Sequence, residues 1–156
     1  MDDSRDKKLV LASDHAGFEM KEWIKERLQQ QGRMVDDRGA FSADPANWAE
    51  YGALAAAQVS ADPEHRVGIL FCGSGIGMSI VANKFPNVRA ALCHNEEAAR
   101  LARRHNDANV LALGARVVDA ATAWKIVVAF LETPFDGGRH QTRLDYLREH
   151  VEKNIF

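Results

Sequence analysis

The feature that most constrains this chain is an apolar run that ends in closely spaced glycines. Residues 67–72 predict a strand buried on both faces, because no charged residue interrupts the run. Gly73, Gly75 and Gly77 follow at a spacing of two, and an apolar segment of helical period then resumes. Such a turn lets the backbone approach a ligand and present successive amides to it. Because the helix start adds partial positive charge, the turn is predicted to suit an anion.

Two side chains at this turn carry chemistry. Cys72 ends the predicted strand and Ser74 follows two residues later. A thiol beside a helix N-terminus has its thiolate favoured, which makes Cys72 a candidate base or nucleophile. The alternative is a plain tight connection, with Cys72 as a small buried apolar residue. The stretch alone leaves both interpretations open.

Strands and helices alternate along the rest of the chain. This alternation predicts a parallel sheet covered on both faces, with right-handed crossovers. The fold class is therefore α/β: a three-layer α/β/α, Rossmann-like fold with a five-stranded parallel sheet and an additional C-terminal helix. Its 156 residues suit one domain over residues 1–156. The predicted strands cover 8–13, 33–37, 67–72, 88–93 and 109–113, and the predicted helices cover 18–31, 49–61, 75–84, 95–104, 120–131 and 139–152.

Composition and charge exclude several classes of partner. The chain is 46% hydrophobic and 27% charged, which is ordinary for a globular protein, and its net charge of -2 gives no electrostatic basis for binding nucleic acid. The charged stretch 1–8 lacks the apolar core of a signal peptide, and no apolar run is long enough to span a bilayer. We therefore expect a cytoplasmic protein without a membrane partner. Cys72 and Cys93 are expected to be reduced thiols.

Three further groups of polar residues are candidates for a site. Asp14 and His15 follow the first strand, where open parallel sheets place ligand groups, although Asp14 could equally cap a helix. His105, Asn106 and Asp107 stand in a row between a helix and a strand, in a predicted turn that could also be a solvated loop. Arg139 and Arg143 are four residues apart near the start of the last helix. They suit a phosphate, although a solvated charged face would look similar.

Seven sequence blocks, in order, give the chain a family resemblance. It resembles the B-type ribose-5-phosphate isomerases, a family that also includes the subunits of galactose-6-phosphate isomerase. The resemblance covers nearly the whole chain. The blocks are 14–17 (DHAG), 72–77 (CGSGIG), 82–84 (ANK), 89–90 (RA), 105–111 (HNDANVL), 114–116 (GAR) and 137–140 (GGRH).

The resemblance implies that the chain interconverts ribose 5-phosphate and ribulose 5-phosphate through an enediolate. It assigns Cys72 as the base that moves a proton between two carbons and His105 as the group that opens the sugar ring. Ser74 is expected to help shift the hydroxyl proton, and Asp14 to assist ring opening or hydroxyl recognition. The backbone amides expected to hold the enediolate oxygens belong to Gly73, Ser74, Gly75, Ile76 and Gly77.

Substrate recognition is likewise implied by the resemblance. His15, Arg116, Arg139 and Arg143 would gather at the phosphate and sugar hydroxyls, with Asn106 completing the pocket. No metal and no cofactor are expected, and Cys93, His94 and His105 lack a recognised zinc spacing. The family also implies a homodimer, or a homotetramer, whose sites lie where two subunits meet.

One departure and three alternatives stay open at this point. Where family members commonly carry Asp-Tyr-Pro, this chain reads Asn47-Trp48-Ala49, and an indole cannot donate a phenolic hydroxyl. A four-carbon or six-carbon aldose phosphate is therefore an alternative substrate. A non-catalytic sugar-phosphate binder would keep the glycines and arginines without needing Cys72 or His105. A dinucleotide-binding turn is disfavoured, since Ile80 stands where its third glycine belongs.

Overall fold

A computed structural model describes residues 5–155 and contains one five-stranded parallel sheet between two layers of helices. The predicted fold class is confirmed. Part of the charged lead, residues 1–4, lies outside the described residues. The strands are β1 (Lys8–Ser13), β2 (Val35–Asp37), β3 (Arg66–Cys72), β4 (Ala90–Leu92) and β5 (Val110–Gly114), and the helices are α1 (Phe18–Gln30), α2 (Trp48–Ala61), α3 (Ile76–Ala82), α4 (Glu96–Asn106), α5 (Ala120–Glu132) and α6 (Arg139–Tyr146).

The last helix changes its winding after α6. It continues as a π-helical segment over Leu147–Glu152 and ends in one α-helical turn, α7 (Lys153–Ile155). No helix among residues 5–155 has both the length and the apolar character that crossing a membrane requires.

Strand order β2-β1-β3-β5-β4 places the longest buried strand at the centre of the sheet. Both neighbours of β3 run parallel to it, and the register sets Ser13 beside Phe71 and Cys72 beside Gly114. The carboxyl ends of β1, β3 and β5 therefore meet at one edge. In an open parallel sheet this edge is where ligand groups collect.

Apolar side chains of alternate strand residues form two hydrophobic cores, one on each face of the sheet. The larger core packs α1, α4 and α5 against residues such as Ile69, Phe71 and Leu111. The smaller one packs α2 and α3 against Val10, Leu70 and related residues, and its apolar surface includes Cys72. The edge strands β2 and β4 form only three residues each, fewer than predicted, and all six residues are partly exposed.

Several helix boundaries differ from the prediction by one or two residues, and two of them have a clear local cause. The helix α2 begins at Trp48, because the side chain of Asn47 accepts a hydrogen bond from the Ala49 amide, 2.9 Å away. The helix α4 runs on through His105 and Asn106, which the sequence had assigned to a turn. It ends at Asp107, whose φ of 44° is left-handed and stops the helix.

A buried lysine ties α1 to the loop after β2. The side chain of Lys21 is fully buried, and its ammonium donates to Asp37 at 2.7 and 2.8 Å and to the Ala40 carbonyl at 2.8 Å. Lys25 also contacts Asp37, at 2.8 Å. Burial alone would raise the pKa of Asp37, but hydrogen bonds from Lys21, Lys25 and the Gly39 amide outweigh it and lower that pKa. The network fixes the start of the loop that leads to α2.

We expect Asp37→Asn to lower the free energy of unfolding by about 3 kcal/mol, because it leaves the buried Lys21 ammonium without its main counter-charge. Denaturant unfolding at neutral pH measures the loss. Because the pKa of Asp37 is lowered, its contribution is present above the ordinary value of 3.8 and is lost as the pH falls further, so the variant should show a smaller acid-induced loss.

Asp36→Asn is the matched control. Asp36 pairs at 2.9 Å with Arg38, and both side chains are partly exposed, so the change should cost less than about 1 kcal/mol. Equal losses in the two variants would contradict a special role for the buried pair.

Candidate active site

A cleft of about 350 Å³ opens at the carboxyl edge of the sheet, around the glycine turn. It brings together side chains from the ends of β1, β3 and β5, as the order of the strands requires. Six of the predicted site residues line it, together with Trp48 and Val117. The lining residues are Asp14, Trp48, Cys72, Gly73, Ser74, Gly77, Arg116 and Val117.

Cys72 lies at the base of this cleft. It is 4% exposed, and its Sγ accepts a hydrogen bond from the Gly75 amide, 3.1 Å away. The Ile76 amide donates to Ser74 Oγ at 3.2 Å. These two amides of the turn therefore contact the turn's own side chains, so they hold the sulfur and the hydroxyl in place.

The turn owes its shape to contacts that only glycine allows. Gly75 has a φ of +79°, and an added Cβ would lie 2.5 Å from Leu92 Cδ1 and 3.0 Å from the Leu113 carbonyl carbon. At Gly77 a Cβ would lie 2.6 Å from Cδ2 of the Trp48 indole. Trp48 therefore packs directly on the turn, with 40% of its surface exposed.

Asp14 and His15 each have a structural partner beside the cleft. Asp14 accepts a hydrogen bond from the amide of Gly17, 3.0 Å away, and it also lines the cleft. Gly17 itself is the N-cap of α1, which has no side-chain cap, so Asp14 does not cap this helix as the alternative predicted. His15 Nδ1 lies 3.1 Å from the Ala46 amide nitrogen. The Ala46 carbonyl oxygen lies 3.2 Å from the same Nδ1, so the ring contacts Ala46 in either neutral tautomer. His15 thus also anchors the loop that ends at α2.

Arg116 supplies positive charge to the same cleft. Its backbone amide donates to the Gly73 carbonyl at 2.9 Å, and a Cβ on Gly73 would lie 3.2 Å from Arg116 Nη1. The exposed guanidinium therefore lies over the glycine turn. An anionic group in the cleft would meet this charge and the partial positive charge of α3 together.

The remaining predicted residues lie at the opposite edge of the sheet. His105 and Asn106 form the end of α4, which leads into the start of β5, and α6 packs against α4 there. Arg139 and Arg143 are both exposed on α6. Among the residues that line the Cys72 cleft, none comes from this group.

The length of β5 separates the two groups. Cys72 pairs with Gly114 at the end of β5, whereas His105 precedes its first residue, Val110. At about 3.3 Å per residue, this strand alone accounts for roughly 13 Å. One chain therefore does not bring Cys72 and His105 into a common cleft.

A stacked pair of imidazoles organises the second group. The rings of His105 and His140 lie with their centroids 4.3 Å apart and their planes 12° from parallel. Burial lowers the pKa of His140, and the nearby His105, Arg139 and Arg143 lower it further. His140 is therefore neutral near pH 7 and gives His105 a flat, uncharged neighbour. His140 belongs to one of the family blocks but had no predicted role, because stacking across two helices leaves no local signal.

The chain is similar to proteins of one family. The family model described as Ribose/Galactose Isomerase matches residues 9–147. The chain is 43% identical over 139 residues to ribose-5-phosphate isomerase B of Escherichia coli, an alignment that covers 89% of this chain and 93% of the relative.

Solved structures agree with that match. A ribose-5-phosphate isomerase B from Clostridium thermocellum superposes with a TM-score of 0.90 at 41% identity and covers 94% of this chain and 99% of its own. The enzyme from Mycoplasma genitalium, solved with bound ribulose 5-phosphate, gives a TM-score of 0.89 at 38% identity, with 92% of this chain and 95% of that chain covered.

The two cysteines are expected to differ in reactivity. Burial raises the pKa of Cys93 to about 11, so it stays a thiol at mildly alkaline pH, whereas Cys72 opens on the cleft and accepts an amide hydrogen bond. Iodoacetamide should therefore modify Cys72 and spare Cys93 in the native protein, as peptide mass spectrometry can measure. A Cys72→Ala variant is the control and should take up no label until it is unfolded. Preferential labelling of Cys93 would contradict this prediction.

Proposed function

The chain belongs to the ribose/galactose isomerase family, and we propose that it interconverts ribose 5-phosphate and ribulose 5-phosphate. The observation that carries the proposal is the position of Cys72, held by an amide at the bottom of a cleft that also contains Asp14, Ser74 and Arg116. Moving a proton between two adjacent carbons needs one base near both of them, and donors for the oxygens. A cytoplasmic location is part of this proposal.

In this proposal Cys72 is the base. Its sulfur takes the proton from the carbon next to the aldehyde, which leaves an enediolate, and then returns the proton to the neighbouring carbon. Ser74 is adjacent and moves the hydroxyl proton. Because the Gly75 and Ile76 amides contact Sγ and Oγ, we assign the enediolate oxygens chiefly to the remaining amides of 73–77 and to Arg116.

Ring opening and phosphate binding require the second group of residues. We assign ring opening to His105, and the phosphate to Arg139 and Arg143 with His15 at the border of the cleft. Because one chain keeps His105 about a strand's length from Cys72, the complete site must be shared between two copies of the chain. In a two-fold dimer, the carboxyl edge of one copy meets the α4 and α6 ends of the other, twice.

Exposed apolar side chains support an interface beside the cleft. On α3, Ile76 and Ile80 are 53% and 51% exposed and lie one turn apart, and Leu54 on α2 is 46% exposed. Large apolar side chains that are exposed close together on one helix are typical of an interaction site. Near the other edge, a groove of about 550 Å³ runs between the end of α3 and the last helix and is lined by Phe85, Asn106 and several apolar residues. We assign both surfaces to a second copy of the chain.

Because of Trp48, this proposal leaves open how many carbons the preferred aldose phosphate has. The indole packs on Gly77 and lines the cleft with Cys72, so it would contact the sugar where a tyrosine would offer a hydroxyl. Turnover of four-, five- and six-carbon aldose phosphates by the same preparation identifies the preferred substrate. Ketose formation from ribose 5-phosphate also separates an isomerase from a protein that only binds sugar phosphates.

A shared site predicts complementation between two inactive variants. Cys72→Ala lacks the base and His105→Asn lacks the ring-opening group, so each alone should have little activity on ribose 5-phosphate. When the two variants are co-expressed, half of the dimers are mixed, and one of the two sites in each mixed dimer is intact, so about a quarter of the wild-type activity should return. Activity that stays at the level of the single variants would place both residues in one chain's site and reject the shared arrangement.

The phosphate role of α6 can be tested separately. Arg143→Ala should raise the KM for ribose 5-phosphate at least about tenfold, because a charge-assisted hydrogen bond of more than about 1.4 kcal/mol is lost. Arg148→Ala is the matched control, since Arg148 lies on another face of the same helix and pairs with Asp145 at 3.2 Å. Its KM should stay within about twofold of wild type. An unchanged KM in the Arg143 variant would remove Arg143 from the phosphate site.

A further inference from the structure

The stacked histidines form part of a set of metal-ligand groups that the proposed reaction does not need. His105, Asp136 and His140 each offer one ligand atom, and these three atoms all lie within 4.8 Å of one another. We propose that these three side chains bind a transition-metal dication of the Zn²⁺ class, and that the bound metal inhibits the enzyme. Two imidazoles and one carboxylate are a common protein ligand set for zinc.

The backbone holds the three groups together. The Asp136 amide donates to the Arg104 carbonyl at 3.0 Å, which ties the loop before α6 to the residue adjacent to His105. The side chain of Arg104 also contacts the Asp136 carboxylate, at 3.1 Å, and orients it as outer partners orient metal ligands. The end of α4 adds a partial negative charge beside His105, which favours a cation.

Metal binding and the observed stack exclude each other. In the stack the two ring planes are 12° from parallel, so the nitrogen lone pairs run side by side. A tetrahedral zinc needs ligand atoms only about 3.3 Å apart with lone pairs that converge on it. The rings must therefore tilt toward each other, a side-chain movement of about an ångström, within reach of a rotation about the Cα–Cβ and Cβ–Cγ bonds.

The consequence for catalysis follows from the ligand chemistry. An imidazole nitrogen that donates its lone pair to a metal can no longer exchange a proton. Metal at this position would therefore remove His105 from ring opening, and the inhibition rests on the proposed function. The binding itself does not, because it depends only on the three ligand side chains.

Calorimetric titration of the full-length, EDTA-treated protein with ZnCl₂ in a phosphate-free buffer tests the binding. We expect one Zn²⁺ per chain, no heat with MgCl₂, and an affinity reduced at least about tenfold in His140→Gln, since even outer-shell changes cost a metal site that much. His65→Gln is the matched control, because it removes an exposed imidazole outside the cluster, and its affinity should equal that of wild type. If His140→Gln does not fold, Asp136→Asn in the exposed loop replaces it, and its affinity for Zn²⁺ should be reduced in the same way.

Two results would overturn the proposal. One is Zn²⁺ binding of wild-type affinity in both His140→Gln and Asp136→Asn. Loss of that binding in Cys72→Ala would then assign the metal to the thiol. The other result is the absence of any Zn²⁺ binding by the wild-type protein. In an isomerase assay Zn²⁺ should inhibit wild type and His65→Gln, and EDTA should reverse it. Calorimetry tests the metal site even if the protein does not turn over ribose 5-phosphate. Failure of the metal proposal and failure of the proposed isomerase function are therefore distinguishable.

Discussion

The candidate site depends on one backbone-to-backbone contact, where the glycine turn after β3 lies against the end of β5. A Cβ on Gly114 would lie 2.6 Å from the Ser74 carbonyl oxygen, and one on Gly75 would lie 3.0 Å from the Leu113 carbonyl carbon. Side chains at either position would push the turn away from the sheet. Because the strands are fixed by their register, this contact also fixes where the Cys72 sulfur and the Ser74 hydroxyl open into the cleft.

The alternation of strands and helices has a second consequence. Segments that follow strands lie at one edge of a parallel sheet, and segments that follow helices lie at the other. Asp14, Cys72 and Arg116 belong to the first kind, whereas His105 and Arg139 belong to the second. If both kinds of segment take part in the reaction, as we propose, one chain cannot complete a site alone, whereas a two-fold arrangement would complete two sites at once.

Much of this arrangement could be predicted from local patterns, and the rest depends on distant contacts. Local patterns predicted the central strand, its glycine turn and the alternation of strands with helices. Buried apolar runs, the spacing of glycines and helical periodicity are all signals within a short stretch of sequence. The end of α4 was misplaced because Asp107 adopts its left-handed conformation only in the folded chain, where Arg89 and Arg103 hold its carboxylate at 3.2 and 2.9 Å. Neither the fully buried Lys21 nor the stack on His140 could be predicted, since their partners lie on other elements.

The proposed division of the site between two copies would also couple catalysis to association. A sugar phosphate that contacts Cys72 of one copy and Arg143 of the other binds the pair and not the separate chains, so substrate must stabilise the pair by mass action. The coupling is reciprocal, because association must raise the affinity for substrate by the same factor. In the proposed arrangement this division has a physical advantage, since the Cys72 sulfur would have its acid and its phosphate-binding partners only when two folded chains have met.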